Sequence, residues 1–251
     1  MLEDNGLPAA FRMPARLVES AWLEHGPFAF WLIEAHRPKV LVELGTASGY
    51  SYGAFCEAIV QNGLDCRCTA VDTWQGDEHA GFYGEEVFRK FAEYHGRQYT
   101  SFSQLLRMTF DEAVQKFDDG SIDLLHIDGR HFYDDVRHDF ETWQPKLSER
   151  AVVLFHDTQV TKLDFGVHRL WAELVARYPH FEFHHGYGLG VLGHGPEQSP
   201  DMRRLFAASG NPAEAADIRL FYAALGRSVS REWRKQWAQE QRETANRQLR
   251  A

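Results

Sequence analysis

Two apolar segments of the chain end in side chains that can transfer protons or bind metal ions. The segment "LLHIDGRH" carries Asp128, a glycine and His131 at its end, and "VVLFHDT" carries the pair His156 and Asp157. Carboxylates and imidazoles act as general acids and bases, and both are ligands of divalent metals. We therefore expect a catalytic or metal-binding centre where the two segments end. His126, inside the first segment, is expected to be a packed, hydrogen-bonded histidine.

The loop "VELGTASGYS" has the features of a ligand-binding turn. It places Glu43 and Gly45 at the end of a strand, and Gly49 and Ser51 at the start of a helix. Glycines let a backbone approach a ligand closely, and free N–H groups at a helix N-terminus bind polar ligand atoms. The dinucleotide fingerprint G-x-G-x-x-G and the phosphate loop G-x-x-x-x-G-K-[ST] are both absent. The preceding acid favours a ligand with a cationic amino-acid end; the alternative is a tight connection without a ligand.

A second acid follows the next strand along the chain. "RCTAVD" ends in Asp72, at the position where doubly wound folds place an acid that binds ribose hydroxyls. The alternative is a helix cap or an ordinary loop acid. Together, the glycine loop and Asp72 indicate a nucleoside ligand that has a cationic end and no phosphate. S-adenosylmethionine fits this pattern better than NAD or ATP.

The elements that must position these residues alternate between strand and helix patterns, which is typical of a parallel sheet with helices on both faces. The predicted strands are "KVLVEL", "RCTAVD", a weak strand near Tyr99–Phe102, "IDLLHID", "AVVLFHD", "FEFHH" and "GLGVLG". The predicted helices are "PFAFWLIEAH", Ser48–Val60, "EEVFRKFAEYH", "DEAVQKF", "DDVRHDFETW" and "VHRLWAELVARY". The segment "TWQGDEHAGFYG" has the glycines and aromatic residues of a lid over the site, or it is a long surface connection.

The predicted domain organisation is a helical cap at 1–38, a core at 39–195, and a C-terminal helical extension or linker at 196–251. From Arg227 onward the chain is rich in charged residues and has few apolar anchors. This tail is expected to be an exposed helix, a linker or an oligomerisation arm.

Composition narrows the class of protein. The 251 residues are 44% hydrophobic and 25% charged, which is ordinary for a soluble domain. The net charge of -9 argues against nucleic acid as the principal partner. No apolar run approaches the ~20 residues of a membrane span, and the N-terminus lacks the apolar region of a signal peptide. Three cysteines, an odd number, fit reduced thiols and a cytoplasmic location.

Several motifs together resemble class I S-adenosylmethionine-dependent methyltransferases. They are "VELGTASGYSY", "VDTW-GD-HAG-YG", "DLLHIDGRHFYDDVRHDFETW", "VLFHDT" and "FGVHRLW". The resemblance covers Ala21 to Gly193 and is nearest to a subgroup found alongside glycosyltransferase domains in surface-polysaccharide biosynthesis, related to macrocin-type sugar O-methyltransferases. It implies an α/β, Rossmann-like methyltransferase fold with a seven-stranded, mostly parallel sheet, helices on both faces and a reversed last strand.

The resemblance also implies roles for individual residues. The expected cofactor-binding residues are Glu43, Gly45, Thr46, Gly49, Ser51, Asp72, Thr109, Phe110 and Asp128. The expected divalent metal (Mg, Mn or Zn) would be held by Asp128, His156 and Asp157, with Asp128 and His131 as catalytic residues and His131 as base or further ligand. Relatives usually have Asp-Asp, Glu-Asp or Asp-Asn where this chain has His156-Asp157. Because imidazole suits softer metals than Mg, His156 is expected to ligate such a metal, act as a base or orient its neighbour.

The function expected from the resemblance is S-adenosylmethionine-dependent O-methylation of a sugar hydroxyl on a glycan or glycoconjugate. The expected partners are the acceptor and, through the C-terminal helix, a second copy or a glycosyltransferase. The alternatives are a metal-independent methyltransferase with a histidine base that acts on a small molecule, and a non-catalytic methyltransferase-like domain. A nicotinamide-dependent oxidoreductase is disfavoured because the dinucleotide fingerprint is absent.

Overall fold

A seven-stranded sheet runs through the centre of the computed structural model, which describes residues 8–248. Its strands are β1 (Val40–Leu44), β2 (Arg67–Asp72), β5 (Ser103–Arg107), β6 (Ile122–Ile127), β7 (Leu147–His156), β8 (His180–Phe183) and β9 (Leu189–Gly193), and a separate ribbon pairs β3 (Gly76–Asp77) with β4 (Gly81–Phe82). The strands of the sheet lie in the order β5-β2-β1-β6-β7-β9-β8. Neighbours from β5 to β7 pair in parallel, whereas β9 is antiparallel to both β7 and β8. The predicted fold with a reversed last strand is therefore confirmed.

Helices cover both faces of this sheet. They are α1 (Gly26–His36), α2 (Tyr50–Gln61), α3 (Glu85–Gln98), α4 (Phe110–Ala113), α5 (Tyr133–Trp143), α6 (Val167–Leu174), α7 (Pro200–Ala208) and α8 (Pro212–Gln248). Side chains alternate along β1: Leu41 joins the core that holds apolar residues of α1, α2 and α8, whereas Val42 joins the core that holds those of α5 and α6. Each buried strand is therefore covered by helices on both sides. Among residues 8–248, no helix is long and apolar enough to span a membrane.

The strand predicted near Tyr99–Phe102 begins four residues later, at Ser103. Helix α3 continues to Gln98, and the Tyr99 N–H still donates to the His95 carbonyl oxygen at 2.9 Å. After the turn that follows α3, Leu105 and Leu106 pair with residues of β2, whereas Tyr99 does not. The prediction was wrong at this boundary because helical hydrogen bonds compete successfully for residues with strand-forming side chains.

The two terminal segments pack on the same face of the sheet. Trp22 and Val229, from opposite ends of the chain, belong to one apolar core. A Cβ at Gly226 would lie 2.3 Å from the Glu24 carbonyl oxygen, so α8 approaches the N-terminal segment backbone to backbone. The later part of α8 is exposed, including Trp237 at 51%. The division into cap, core and extension remains a prediction.

The parallel register brings four functional segments to one edge. Leu44 pairs with Val71 and Ile127, and Ile127 pairs with Phe155. The residues that follow these positions therefore meet beyond the carboxyl ends of the strands, where open α/β sheets bind their ligands.

A buried histidine at the opposite edge makes folding sensitive to acid. His36 Nε2 donates to the Asp123 carbonyl oxygen at 2.7 Å. Burial lowers the pKa of His36 from 6.5 to about 4. His36 therefore binds a proton more tightly in the unfolded chain than in the folded protein. Neutral His36 contributes to the free energy of unfolding above pH 6.5, and this contribution is lost as the pH falls toward 4. The full shift corresponds to about 3 kcal/mol of unfolding free energy.

We expect His36→Gln to lose less stability than the wild type between about pH 7 and about pH 4.5, since an amide N–H can still donate to Asp123 without titrating. Urea unfolding at the two pH values measures this difference. His168→Gln, at a half-buried histidine of α6 outside this contact, is the matched control. An unchanged pH dependence in His36→Gln would contradict the assignment.

Candidate active site

The loop between β1 and α2 is pressed against the end of β6. Gly45 has a φ of +86°, and a Cβ there would lie 2.0 Å from the Asp128 carbonyl oxygen. Gly49 has a φ of +75°, and its Cβ would lie 2.2 Å from the Phe91 ring. Both positions therefore require glycine for conformation and for space.

Asp72 holds this loop in place. Its Oδ2 accepts hydrogen bonds from the Thr46 and Ala47 N–H groups, both at 2.8 Å, and its Oδ1 accepts from the Trp74 N–H at 2.6 Å. The Trp74 indole N–H donates to the Ala47 carbonyl oxygen at 2.9 Å. The carboxylate predicted to bind ribose thus also orders the glycine loop, which sequence reasoning missed; its contact with ribose remains a prediction.

Glu43 is fully buried at the base of the site. Its Oε2 accepts from His126 Nδ1 at 2.8 Å, and the Trp22 indole N–H donates to His126 Nε2 at 3.1 Å. Because Nε2 accepts, the His126 proton lies on Nδ1, and His126 is the packed histidine that the sequence predicts. Glu43 Oε1 is buried without a partner among the described residues. One carboxylate oxygen is therefore left for a donor that residues 8–248 do not supply.

The ends of β6 and β7 bring together all four residues of the predicted catalytic or metal centre. His131 Nε2 lies 2.9 Å from Asp157 Oδ2 and 3.6 Å from Asp128 Oδ1. His156 Nδ1 lies 3.4 Å from each of the same two oxygens. Asp157 adopts a φ of +63°, a left-handed conformation that is uncommon for non-glycine residues. We refer to Asp128, His131, His156 and Asp157 as the carboxylate–imidazole cluster.

The charged groups of this cluster shift one another's pKa values. Burial by itself lowers the pKa of both imidazoles, but the two carboxylates outweigh it and raise the pKa of His131 to about 9 and of His156 to about 10. Burial by itself raises the pKa of Asp128 and Asp157, and the imidazoles outweigh it and hold both below their usual range. His131 therefore carries a proton at neutral pH while both carboxylates are free of metal, which disfavours it as a base in that state.

The cluster has the donor set of a divalent metal site. The nearby oxygens of Asp128 and Asp157 and a nitrogen of His131 all lie within 4.8 Å of one another. His156 Nε2 donates to the Gly186 carbonyl oxygen at 3.1 Å, which leaves Nδ1 for the carboxylate side. A metal-binding histidine usually donates its other N–H in this way. The chemistry of these donors suits a divalent metal, and the group within 4.8 Å contains His131 where the sequence predicts His156 as a ligand.

The remaining predicted cofactor residues have structural roles as well. Thr109 caps α4, because its side chain accepts from the Glu112 N–H at 3.3 Å while Glu112 accepts from the Thr109 N–H at 3.0 Å. A Cβ at Gly129 would lie 2.5 Å from Phe110, so this ring supports the loop after β6. Ser51 is buried in the first turn of α2. Their contacts with a cofactor remain predictions.

The ribbon β3–β4 lies beside the cluster, with the ring of His79 5.5 Å from that of His131, and was only partly anticipated. His79 donates from Nε2 to the Leu163 carbonyl oxygen at 2.9 Å. Its ring lies 4.4 Å from the ring of Phe132 and 4.3 Å from that of Phe165. Phe132 and Phe165 also line a groove of about 610 Å³ beside the cluster. The glycines and aromatics of "TWQGDEHAGFYG" indicated a lid, but nothing in the sequence placed His79 next to His131.

Known proteins share this domain and this fold. Residues 42–158 match a family model described as a methyltransferase domain. The Sinorhizobium fredii protein y4gI is 57% identical over 178 residues, which cover 71% of this chain and 20% of y4gI. The chain therefore spans about a fifth of the length of the curated relative that it matches.

Solved methyltransferase structures have the same architecture at low identity. A putative caffeoyl-CoA O-methyltransferase from Staphylococcus aureus superposes with a TM-score of 0.53 and 16% identity, over 72% of this chain and 86% of that one. The O-methyltransferase TomG from Streptomyces achromogenes, in complex with S-adenosylmethionine, gives 0.51 and 16%, over 74% and 86%. The methyltransferase PaMTH1 from Podospora anserina, bound to S-adenosylhomocysteine, gives 0.52 and 14%, over 67% and 77%. Residues 42–158 thus match a methyltransferase domain, and the chain has the fold that these solved structures share.

Proposed function

We propose that this chain is an S-adenosylmethionine-dependent O-methyltransferase that methylates a sugar hydroxyl of a glycan or glycoconjugate with the help of a divalent metal. The observation that carries the proposal is the contact between the glycine loop and the cluster. The Asp128 N–H donates to the Leu44 carbonyl oxygen at 2.8 Å, and Gly45 abuts the Asp128 carbonyl. A methyl donor on one side of this contact and an acceptor on the other would lie at the short separation that methyl transfer needs.

The residues around the glycine loop suit the methyl donor. The unpartnered, buried oxygen of Glu43 is an acceptor for the ammonium group of S-adenosylmethionine. A carboxylate has about four acceptor positions, and Asp72 uses three of them on backbone N–H groups, which leaves one for a ribose hydroxyl. S-adenosylmethionine supplies the methyl group from a positively charged sulfur, so these carboxylates also complement its overall charge.

The cluster supports metal assistance. Asp128, Asp157 and His156 would hold the ion, while His131 donates to Asp157 and orients it. When bound, such an ion acts as a Lewis acid that makes a nearby hydroxyl easier to deprotonate. His131 is the neighbouring group that can then receive or position a proton, since metal binding opposes protonation of the cluster.

A sugar acceptor is supported by the groove beside the cluster. Phe165 stacks on His131 with 4.7 Å between ring centroids, and Arg169 lies over the Tyr133 ring at 4.3 Å. Asp134 and Asp164 line the same groove. Aromatic rings next to charged groups suit a ligand with apolar faces and several hydroxyls.

The setting proposed for this reaction is surface-polysaccharide biosynthesis in the cytoplasm. Cys56, Cys66 and Cys68 are all free thiols, which agrees with a reducing compartment. The exposed end of α8 is the surface through which a glycosyltransferase or a second copy of the chain would bind.

Asp72→Asn should weaken binding of S-adenosylhomocysteine by about 10- to 100-fold, because the loop and the ribose both lose a charged acceptor. Titration calorimetry measures the affinity. Asp111→Asn, at an exposed carboxylate of α4, should bind like the wild type. Equal affinities in the two variants would remove Asp72 from the cofactor site.

Asp128→Asn and Asp157→Asn should each abolish methyl transfer but retain S-adenosylhomocysteine binding, because the amide keeps the shape and removes the charge that holds the cation. The assay is transfer of labelled methyl groups to glycan and sugar acceptors after chelation, and again after Mg, Mn or Zn is restored. Full activity in the chelated enzyme, together with an inactive His131→Ala, would replace metal assistance by histidine base catalysis. Activity in both carboxylate variants would show that these side chains only shape the site.

Metal affinity should fall as the pH is lowered. The raised pKa values of His131 and His156 mean that both imidazoles are protonated below about 9, so the metal must displace up to two protons. Calorimetry in buffers with different protonation enthalpies counts the protons released. A metal affinity that is independent of pH would contradict this competition.

A further inference from the structure

The lid ribbon carries metal-ligand side chains that the cluster does not use. Asp77, His79 and His131 each offer one ligand-type atom, and these atoms lie within 4.8 Å of one another. Asp77 and His79 belong to the ribbon, whereas His131 follows β6. The group therefore joins the lid to the body of the protein.

Two imidazole nitrogens in this group have no partner among the described residues. His79 already donates from Nε2 to the Leu163 carbonyl oxygen, and its buried Nδ1 makes no hydrogen bond. His131 directs Nε2 at Asp157, and its Nδ1 is likewise buried and unpartnered, in a residue that is only 8% exposed. A buried polar atom without a partner destabilises the folded protein, so a ligand bound to these two nitrogens would stabilise it.

The two histidines already have the surroundings of metal ligands. Metal-binding imidazoles usually donate their second N–H to a backbone carbonyl or a carboxylate, which sets the tautomer and the ring orientation. His79 does so to Leu163 and His131 does so to Asp157, both at 2.9 Å. In Asp77, Oδ1 accepts from the His79 and Ala80 N–H groups at 2.7 Å, which leaves the second oxygen for another partner.

We propose that Asp77, His79 and His131 form a second divalent-cation site, distinct from the one assigned to Asp128, His156 and Asp157. Its ligands are Nδ1 of both histidines and a carboxylate oxygen of Asp77. Two imidazoles and one carboxylate favour Zn or another imidazole-binding transition metal over Mg, and three protein ligands leave a position open. The two sites are compatible when His131 binds the second ion through Nδ1 and donates its Nε2 proton to Asp157. In that state His131 orients Asp157 and does not act as the base.

The second ion would hold the ribbon against the body of the protein. Without it, the ribbon contacts the body through the Glu78–Arg130 ion pair at 3.1 Å, the hydrogen bond from His79 to Leu163 at 2.9 Å, and the packing of His79 against Phe132 and Phe165. An exposed ion pair contributes little to stability. A cation that is bound by residues of both the ribbon and the body would attach the ribbon more strongly. This attachment would not depend on methyl transfer.

The test is a calorimetric titration of the metal-stripped 251-residue chain with Zn²⁺. The wild type should bind two ions. His79→Gln keeps a donor for Leu163 but has no Nδ1, and Asp77→Asn keeps an acceptor for the ribbon turn but has no charge. Each should lose one ion or bind it at least about 100-fold more weakly. Glu78→Gln, which changes a neighbouring carboxylate outside the group, should still bind two, and thermal unfolding checks that every variant folds.

Asp128→Asn separates the two sites. A single ion that is lost in His79→Gln but retained in Asp128→Asn would support the lid site and remove the cluster site from the proposed function. A single ion that is lost in Asp128→Asn and unaffected by His79→Gln would overturn the lid site, as would two ions unaffected by His79→Gln, or no binding of Zn²⁺. Binding of S-adenosylhomocysteine, measured on the same samples, tests the proposed methyl-donor site independently.

Discussion

The close approach of Gly45 to the backbone of Asp128 is the constraint on which the rest of the site depends. A side chain at Gly45 would overlap the Asp128 carbonyl oxygen, so any other residue would push the β1 loop away from the end of β6. That loop also carries the backbone N–H groups bound by Asp72. One contact between two neighbouring parallel strands therefore sets the position of the glycine loop, its supporting carboxylate and the first member of the cluster.

Charge balance is the second organising principle. The cluster combines two carboxylates with two imidazoles in a largely buried space, and this combination is tolerable only because each acid faces a proton-bearing ring. One divalent cation can replace the two protons without changing the net charge. With His156 beside Asp157, the metal-free cluster of two carboxylates and two protonated imidazoles is electrically neutral, and its nitrogen donors would favour a metal that binds imidazole.

Much of this arrangement could be predicted from particular residues. The apolar runs that end in Asp128 and in His156-Asp157 indicated buried parallel strands, and parallel strands bring their carboxyl ends to one edge. Other features could not be predicted. The boundary of β5 was missed because Tyr99 is bound by the preceding helix. His79 could not be paired with His131 because the ribbon has few apolar residues and no periodic pattern from which to infer its position.

The sequence by itself determined the class of fold, the reversed last strand through its resemblance, and the identity of the groups at each strand end, because hydrophobic periodicity and turn residues are local properties. Only the tertiary structure decided which nitrogen of each histidine is free and how Glu43 is held by His126 and Trp22. It also decided that Asp72 orders a loop 25 residues away. These outcomes depend on contacts between residues that are distant in the chain, and such contacts arise only when the sheet has assembled and its edge is packed.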